Sequence, residues 1–248
     1  GIEELASHPR FAAASPDMVE AIVEGIGQFA AGEFAPLNRK GDVEGAKLAN
    51  GTVTLPAGFA EAYQAYVEQG WNAVAGDEAH GGQGLPFTLA ANVLENLGAA
   101  NMAFSLLPML TVGAIEALAH HGSPQQQALY LPKLVSGEWS GTMNLTEPQA
   151  GSDVGALRTK ADPNPDGTFA ITGQKIYISW GDADFMPNIC HLVLARLPDG
   201  APGTSGISLF LVPKFLPDAQ GNPGKRNRLS VVSLEHKLGL HGSPTCVM

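Results

Sequence analysis

Cysteine and charge are both scarce in this chain. Two cysteines among 248 residues, Cys190 and Cys246, are too few for a disulfide framework, so reduced thiols and a cytoplasmic location are expected. Charged residues make up 15% and hydrophobic ones 44%, a balance that excludes a disordered, highly charged polymer. A basic face is missing too. Residues 1–142 hold 5 Lys/Arg against 15 Asp/Glu, and residues 143–248 hold 9 against 9, which leaves no footprint for nucleic acid. Any phosphate contact must be local, with Arg158, Lys160, Lys175 and Lys237 as candidates and ordinary solvated cations as the plain alternative. No uninterrupted apolar run approaches the roughly 20 residues of a membrane span, and Gly1-Ile-Glu-Glu-Leu lacks the basic-then-apolar pattern of a signal peptide. No stable membrane anchor is therefore expected. Gly137-Glu-Trp-Ser-Gly141 does not fit a nucleophile elbow. Gly81-Gly-Gln-Gly-Leu-Pro86 lacks the Lys-Ser/Thr of a P-loop. His120, His121, Asp182 and Asp184 have no companions at metal-ligand spacing, so no metal is assigned.

What is present divides into two parts. Residues 1–138 read as an all-helical domain. Ser15 is a capping residue followed by Pro16 at the first helical position, with Asp17 and Glu20 where acids suit the helix dipole. Met18, Ile22, Ile26 and Phe29 make one apolar stripe. Asn50-Gly51 marks a turn, and Pro56 is expected to open a second helix ending near Gly70. Dense apolar residues from Phe87 to His121 predict buried helices, and Ser123-Pro124 caps a further helix expected to stop before Pro132. Residues 139–248 switch to strand patterning, with short β-branched runs over 168–179, 190–196, 206–213 and 229–236. Residues 217–228 lack periodicity and read as an exposed excursion. Trp139 and Trp180 are expected in the core. The expected class is α+β, an N-terminal helical domain followed by a β-barrel-like domain.

The most informative stretch runs from Met143 to Ser179. Met143-Asn-Leu-Thr-Glu-Pro-Gln-Ala-Gly-Ser-Asp153 is a strand end entering a tight loop, since Pro148 cannot donate to a ladder and Gly151 tolerates unusual backbone angles. Thr146, Ser152 and the N–H groups near Gly151 are small donors. Glu147 and Asp153 flank the turn, and Asp153 is expected to accept backbone N–H groups. About twenty positions on, Thr172-Gly-Gln-Lys-Ile-Tyr-Ile-Ser-Trp180 alternates with period two, placing Tyr177 and Ser179 on one strand face. An aromatic ring and a hydroxyl on one face can cover a planar ring and bond its edge, which suits a flavin.

The T-E-P-x-A-G-S-D loop followed by G-Q-K-x-[aromatic]-I-[ST] resembles the acyl-CoA dehydrogenase family, and the likeness extends to Glu235-His-Lys-Leu-Gly-Leu-His-Gly-Ser-Pro-Thr245. The wording is most similar to longer bacterial members, some acting on medium or long fatty acyl-CoA and some on 3-methylthiopropanoyl-CoA. The resemblance implies FAD-dependent α,β-dehydrogenation of an acyl-CoA thioester, with electron-transfer flavoprotein as acceptor and a homodimer or homotetramer as the assembly. Position by position it gives Met143 and Leu145 backbone contacts at the flavin's pyrimidine edge and Thr146 a hydroxyl contact. Gly151 and Ser152 form the turn, with Ser152 also near the thioester. Tyr177, with Ile178 beside it, covers the ring face, and Ser179 sits near N5. Many relatives carry tryptophan and threonine in place of Tyr177 and Ser179, swaps that keep a ring face and a hydroxyl. The Asn101–Thr111 neighbourhood is implied to line the acyl pocket, with Phe104 touching substrate. The family's glutamate base lies on a C-terminal helical bundle, expected to be missing here, so no catalytic residue is expected within residues 1–248. An acyl-CoA oxidase on the same fold and a non-catalytic acyl-CoA-binding homologue are the alternatives.

Overall fold

The computed structural model describes the backbone of residues 1–248 and every side chain except that of Glu3. After α1 (Ile2–Ala6), α2 (Pro16–Phe29) starts where its cap dictates, with Ser15 Oγ accepting the Met18 N–H at 3.3 Å. A π-helical turn leads into α3 (Ala35–Glu44), which Gly45 ends with φ 65°. Asn50-Gly51 turns a two-stranded hairpin, β1 (Lys47–Ala49) with β2 (Thr52–Thr54), which the all-helical reading of this half did not anticipate. Helix α4 (Phe59–Glu68) starts three residues after Pro56, directly behind left-handed Gly58 at its N-cap. Asn101 divides α5 (Phe87–Ala100) from α6 (Met102–His121), its side chain accepting the Phe104 N–H at 3.1 Å. Helix α7 (Pro124–Val135) carries a reciprocal Ser123–Gln126 cap and runs through Pro132 instead of stopping before it. The ring removes one backbone bond from the last turn, and burial of Leu131, Leu134 and Val135 offsets the loss.

Ten short strands follow: β3 (Ser140–Asn144), β4 (Lys160–Pro163), β5 (Phe169–Thr172), β6 (Ile178–Ser179), β7 (Ile189–Arg196), β8 (Ile207–Pro213), β9 (Phe215–Pro217), β10 (Pro223–Arg226), β11 (Ser233–Leu234) and β12 (Thr245–Val247). β7 is the spine of the curled sheet. β8 runs antiparallel along one edge from Cys190 to Arg196. On the other edge β3 pairs parallel, Gly141 opposite Cys190 and Asn144 opposite Val193, before β4 takes over at Arg196. β4 folds back on β5, and β12 is the centre of a smaller sheet between β11 and β6. The segment read as an excursion is a hairpin, β9 with β10, fixed by the Arg226 guanidinium 5.6 Å from the Phe215 ring.

The main core does not respect the boundary between the halves. Ile22, Phe34, Phe59 and Phe104 from the helices pack with Trp180, Met186 and Ile189 from the strand-rich half. Three fastenings reinforce this joint. The Trp180 indole N–H donates to the Ala103 carbonyl at 3.0 Å. Gly141 N–H donates to the Thr111 hydroxyl at 3.1 Å, and a Cβ at Gly141 would fall 2.3 Å from that of Ala114. Gly41 of α3 and Gly242 meet backbone to backbone, with a Cβ on either reaching Phe59. Helix α6 is long and apolar enough to cross a membrane by length and composition, although Ser105, Thr111 and Glu116 interrupt its apolar run, and here Ala103, Phe104, Leu107, Ala114 and Leu118 are buried against the rest of the fold. Gly82 also has a packing reason, since any side chain there would collide with the Gly76 backbone.

Candidate functional site

Strand β3 delivers its residues to two environments. Ser140, Thr142 and Asn144 are buried on one face, while Gly141 lies against α6 and Met143 stands 57% exposed on the other. Beyond Asn144 the chain closes a tight loop in which Glu147 and Ala150 exchange both backbone bonds at 3.0 Å around Pro148-Gln149. The second motif docks directly onto this loop: Ile176 N–H donates to the Thr146 carbonyl at 2.9 Å. Thr146 and the segment carrying Tyr177 therefore lie side by side, with Tyr177 52% exposed and Met143 exposed at the end of β3. No backbone carbonyl among the described residues takes the N–H groups of Thr146, Gly151 or Ser152.

The second motif is not the regular strand that its alternation predicts. Tyr177 and Trp180 both adopt left-handed backbone, φ 57° and 55°, and bracket the two-residue strand β6. Such angles cost a bulky residue about 1–3 kcal/mol each, so surrounding structure must enforce them. Backbone bonds from Trp180 N–H to the Pro244 carbonyl and from Ile176 to Thr146 do so. The kink turns Tyr177 outward, while Ile178 is buried against Val53, Val231 and Cys246. This corrects the expectation of Ile178 beside the flavin: its side chain is turned into the core and its main chain pairs with Cys246 of β12, its carbonyl also taking the Gly181 N–H at 3.3 Å. Ser179 is half-buried opposite Thr245.

Phe104 is also corrected. It is fully buried, stacked on Phe34 at 4.3 Å and Phe59 at 4.7 Å, and offers no surface to a substrate. Its apolar character marked core packing instead. The expected acceptor of backbone N–H groups, Asp153, is exposed and makes no cap bond to the turn it precedes. Glu147 does that work. Its Oε2 accepts from Arg158 N–H at 2.6 Å, and its Oε1 accepts from Thr159 N–H at 3.0 Å and Lys175 Nζ at 2.8 Å. Burial alone would raise this carboxyl, but the Lys175 ammonium, the Thr159 hydroxyl and the two N–H groups outweigh it and hold the pKa near 2. Lys175 is thus a buried partner, neither a solvated cation nor a phosphate contact. Lys214 likewise pairs inside with Asp182.

Behind β3 lies a buried relay. Thr142 Oγ1 donates to Asn144 Oδ1 at 2.8 Å and lies 2.7 Å from His191 Nδ1. With its only proton spent, the hydroxyl must accept from His191, which places the imidazole proton on Nδ1. Nε2 is buried without a partner. Burial first, then the nearby Lys214 charge, lowers the pKa of His191 to about 3 and keeps the ring neutral.

Residues 16–138 match the family described as acyl-CoA dehydrogenase, N-terminal domain, and residues 142–248 match acyl-CoA dehydrogenase, middle domain. The chain is 51% identical, over 94% of its length, to 3-methylmercaptopropionyl-CoA dehydrogenase of Ruegeria pomeroyi, and spans 40% of that protein. It is 41% identical over 86% of its length to a butyryl-CoA dehydrogenase of Syntrophomonas wolfei, and spans 35% of it. In fold it superposes, with TM-score 0.73 and 22% identity, on an acyl-CoA dehydrogenase complexed with FAD from Bacillus anthracis, covering 94% of this chain and 35% of that one. The chain thus spans well under half the length of these relatives.

Proposed function

The chain belongs to the acyl-CoA dehydrogenase family, and from that premise we propose that the protein binds FAD in the cleft between residues 143–153 and 175–179 and serves the α,β-dehydrogenation of an acyl-CoA thioester to trans-2-enoyl-CoA. The observation that carries this reading is the bond from Ile176 N–H to the Thr146 carbonyl, which joins the two motifs and sets exposed Met143 and Tyr177 beside the open Thr146, Gly151 and Ser152 donors. These residues fit a flavin: a ring face needs an aromatic cover, and its polar edge needs N–H and hydroxyl donors. Tyr177 supplies the cover. The Met143–Leu145 main chain and Thr146 serve the pyrimidine edge, Gly151 and Ser152 shape the turn toward the thioester, and Ser179 lies near the reacting edge. When bound, FAD supplies the hydride acceptor. Glu147 accepts from five donors, namely Gln149 Nε2, the Arg158 and Thr159 N–H groups, the Thr159 hydroxyl and Lys175 Nζ, and with its pKa near 2 it is no base at neutral pH. We assign the proton acceptor to a carboxylate in the part of the relatives that this chain does not span.

Linear short-chain thioesters, 3-methylmercaptopropionyl-CoA and butyryl-CoA among them, are the proposed substrates. Electron-transfer flavoprotein is the proposed acceptor, the assembly a homodimer or homotetramer, and the location cytoplasmic. The test uses the full-length protein. It should purify with the visible bands of oxidised flavin, and these should bleach anaerobically with a preferred acyl-CoA. Peroxide released under air would move the assignment to an oxidase. A colourless protein that takes up no added FAD would overturn the reading.

A further inference from the structure

The Glu147–Lys175 pair reaches beyond closing a loop. Both side chains are nearly inaccessible, 3% exposed for Glu147 and 5% for Lys175. Lys175 Nζ donates to Glu147 Oε1 at 2.8 Å and to the Leu145 carbonyl at 2.9 Å. That carbonyl belongs to the peptide unit whose N–H is that of Thr146. A cation bonded to the oxygen of an amide draws density along it and strengthens its N–H as a donor, the more so where water is excluded. The N–H in question is left unused by every backbone carbonyl among the described residues.

We propose that Lys175 is a positioning residue for the flavin, holding the Leu145–Thr146 peptide in place and polarising its N–H toward the pyrimidine edge, with Glu147 keeping the ammonium charged and aimed. The inference rests on the flavin reading above. It differs from a purely adhesive ion pair in one respect: the charge itself acts on the cofactor, so removing it without disturbing the fold changes the flavin. An N–H donor at that edge favours negative charge on the reduced ring, and weakening it makes reduction harder.

The experiment compares full-length wild type with Glu147→Gln and the double variant Glu147→Gln/Lys175→Met, which replaces the pair by uncharged groups of similar shape. Each apoprotein is titrated with FAD, and the reduction potential of the bound flavin is measured beside the thermal melting of the apoprotein. The double variant is expected to melt close to wild type but to bind FAD about tenfold more weakly, at a lower potential. Glu147→Gln removes the acid that keeps the ammonium charged and aimed and is expected to lower the potential, in the same direction as the double variant. A folded double variant with unchanged affinity and potential would reduce the pair to an adhesive and overturn the proposal. Should the double variant not fold, an unchanged potential in Glu147→Gln overturns it equally. Wild type that binds no FAD sinks the flavin reading itself, a result that cannot be confused with the others.

Discussion

His191 offers the sharpest quantitative test. Its ring is enclosed, donates from Nδ1 to Thr142, and faces no acid, while Lys214 adds a repelling charge. Protonation is therefore pushed from the ordinary 6.5 down to about 3 in the fold. A histidine depressed in this way contributes stability that is complete above the unfolded value and lost as pH falls through 6.5 toward 3. Between pH 8 and pH 5 the unfolded chain gains nearly a full proton at this site and the native state almost none, which amounts to about 2 kcal/mol at pH 5. Glu147 does not contaminate this window, because its depressed carboxyl forfeits stability only between about 4.5 and 2. The substitution is His191→Asn, which keeps a donor near the Nδ1 position but cannot titrate. Urea unfolding at both pH values should show wild type losing about 2 kcal/mol more than the variant across the interval. Equal losses would mean that the imidazole is already protonated, or hydrated, in the native protein, and the relay through Thr142 would have to be redrawn.

Three further outcomes follow from the geometry. Gly141→Ala should destabilise by about 1–3 kcal/mol, because its methyl would meet Ala114 at 2.3 Å, and Ala114→Gly should restore most of the loss in a thermal melt. Asp182→Asn leaves Lys214 buried without its acid and should cost about 3–5 kcal/mol in denaturant titration; a loss below 1 kcal/mol would show that the ammonium reaches solvent. Tyr177→Phe should retain FAD affinity, whereas Tyr177→Ala should weaken it about tenfold or more by flavin titration, since the ring face and not the phenol is the contact proposed.

Much of this was legible in the residues themselves. Ser15-Pro16 and Ser123-Pro124 announced two helices because a capping hydroxyl and a proline act within one turn, a distance over which sequence and structure coincide. The Thr146 loop was readable as a turn because Pro148 and Gly151 act locally, whereas the Tyr177 segment was readable only as an alternating strand. What stayed hidden depended on neighbours distant in sequence. Tyr177 looked like one member of an alternating strand, and only Thr146 on one side and Pro244 on the other explain its left-handed backbone. Phe104 looked available because apolar residues in a pocket wall and in a core read alike; the rings of Phe34 and Phe59, brought in from other helices, decide the matter. Pro132 looked like a stop, and the burial of the residues that follow it outweighed one missing bond. Lys175 and Glu147 sit 28 positions apart, too far for a periodic pattern to pair them.

The joint between the helical and sheet layers has a last implication. Thr111 with Gly141, Ala103 with Trp180, and Gly41 with Gly242 clamp the two layers at three separate points, each through backbone. A joint fastened this way is expected to open as one unit, so that loosening Trp180 would uncover Phe59 and Phe104 together.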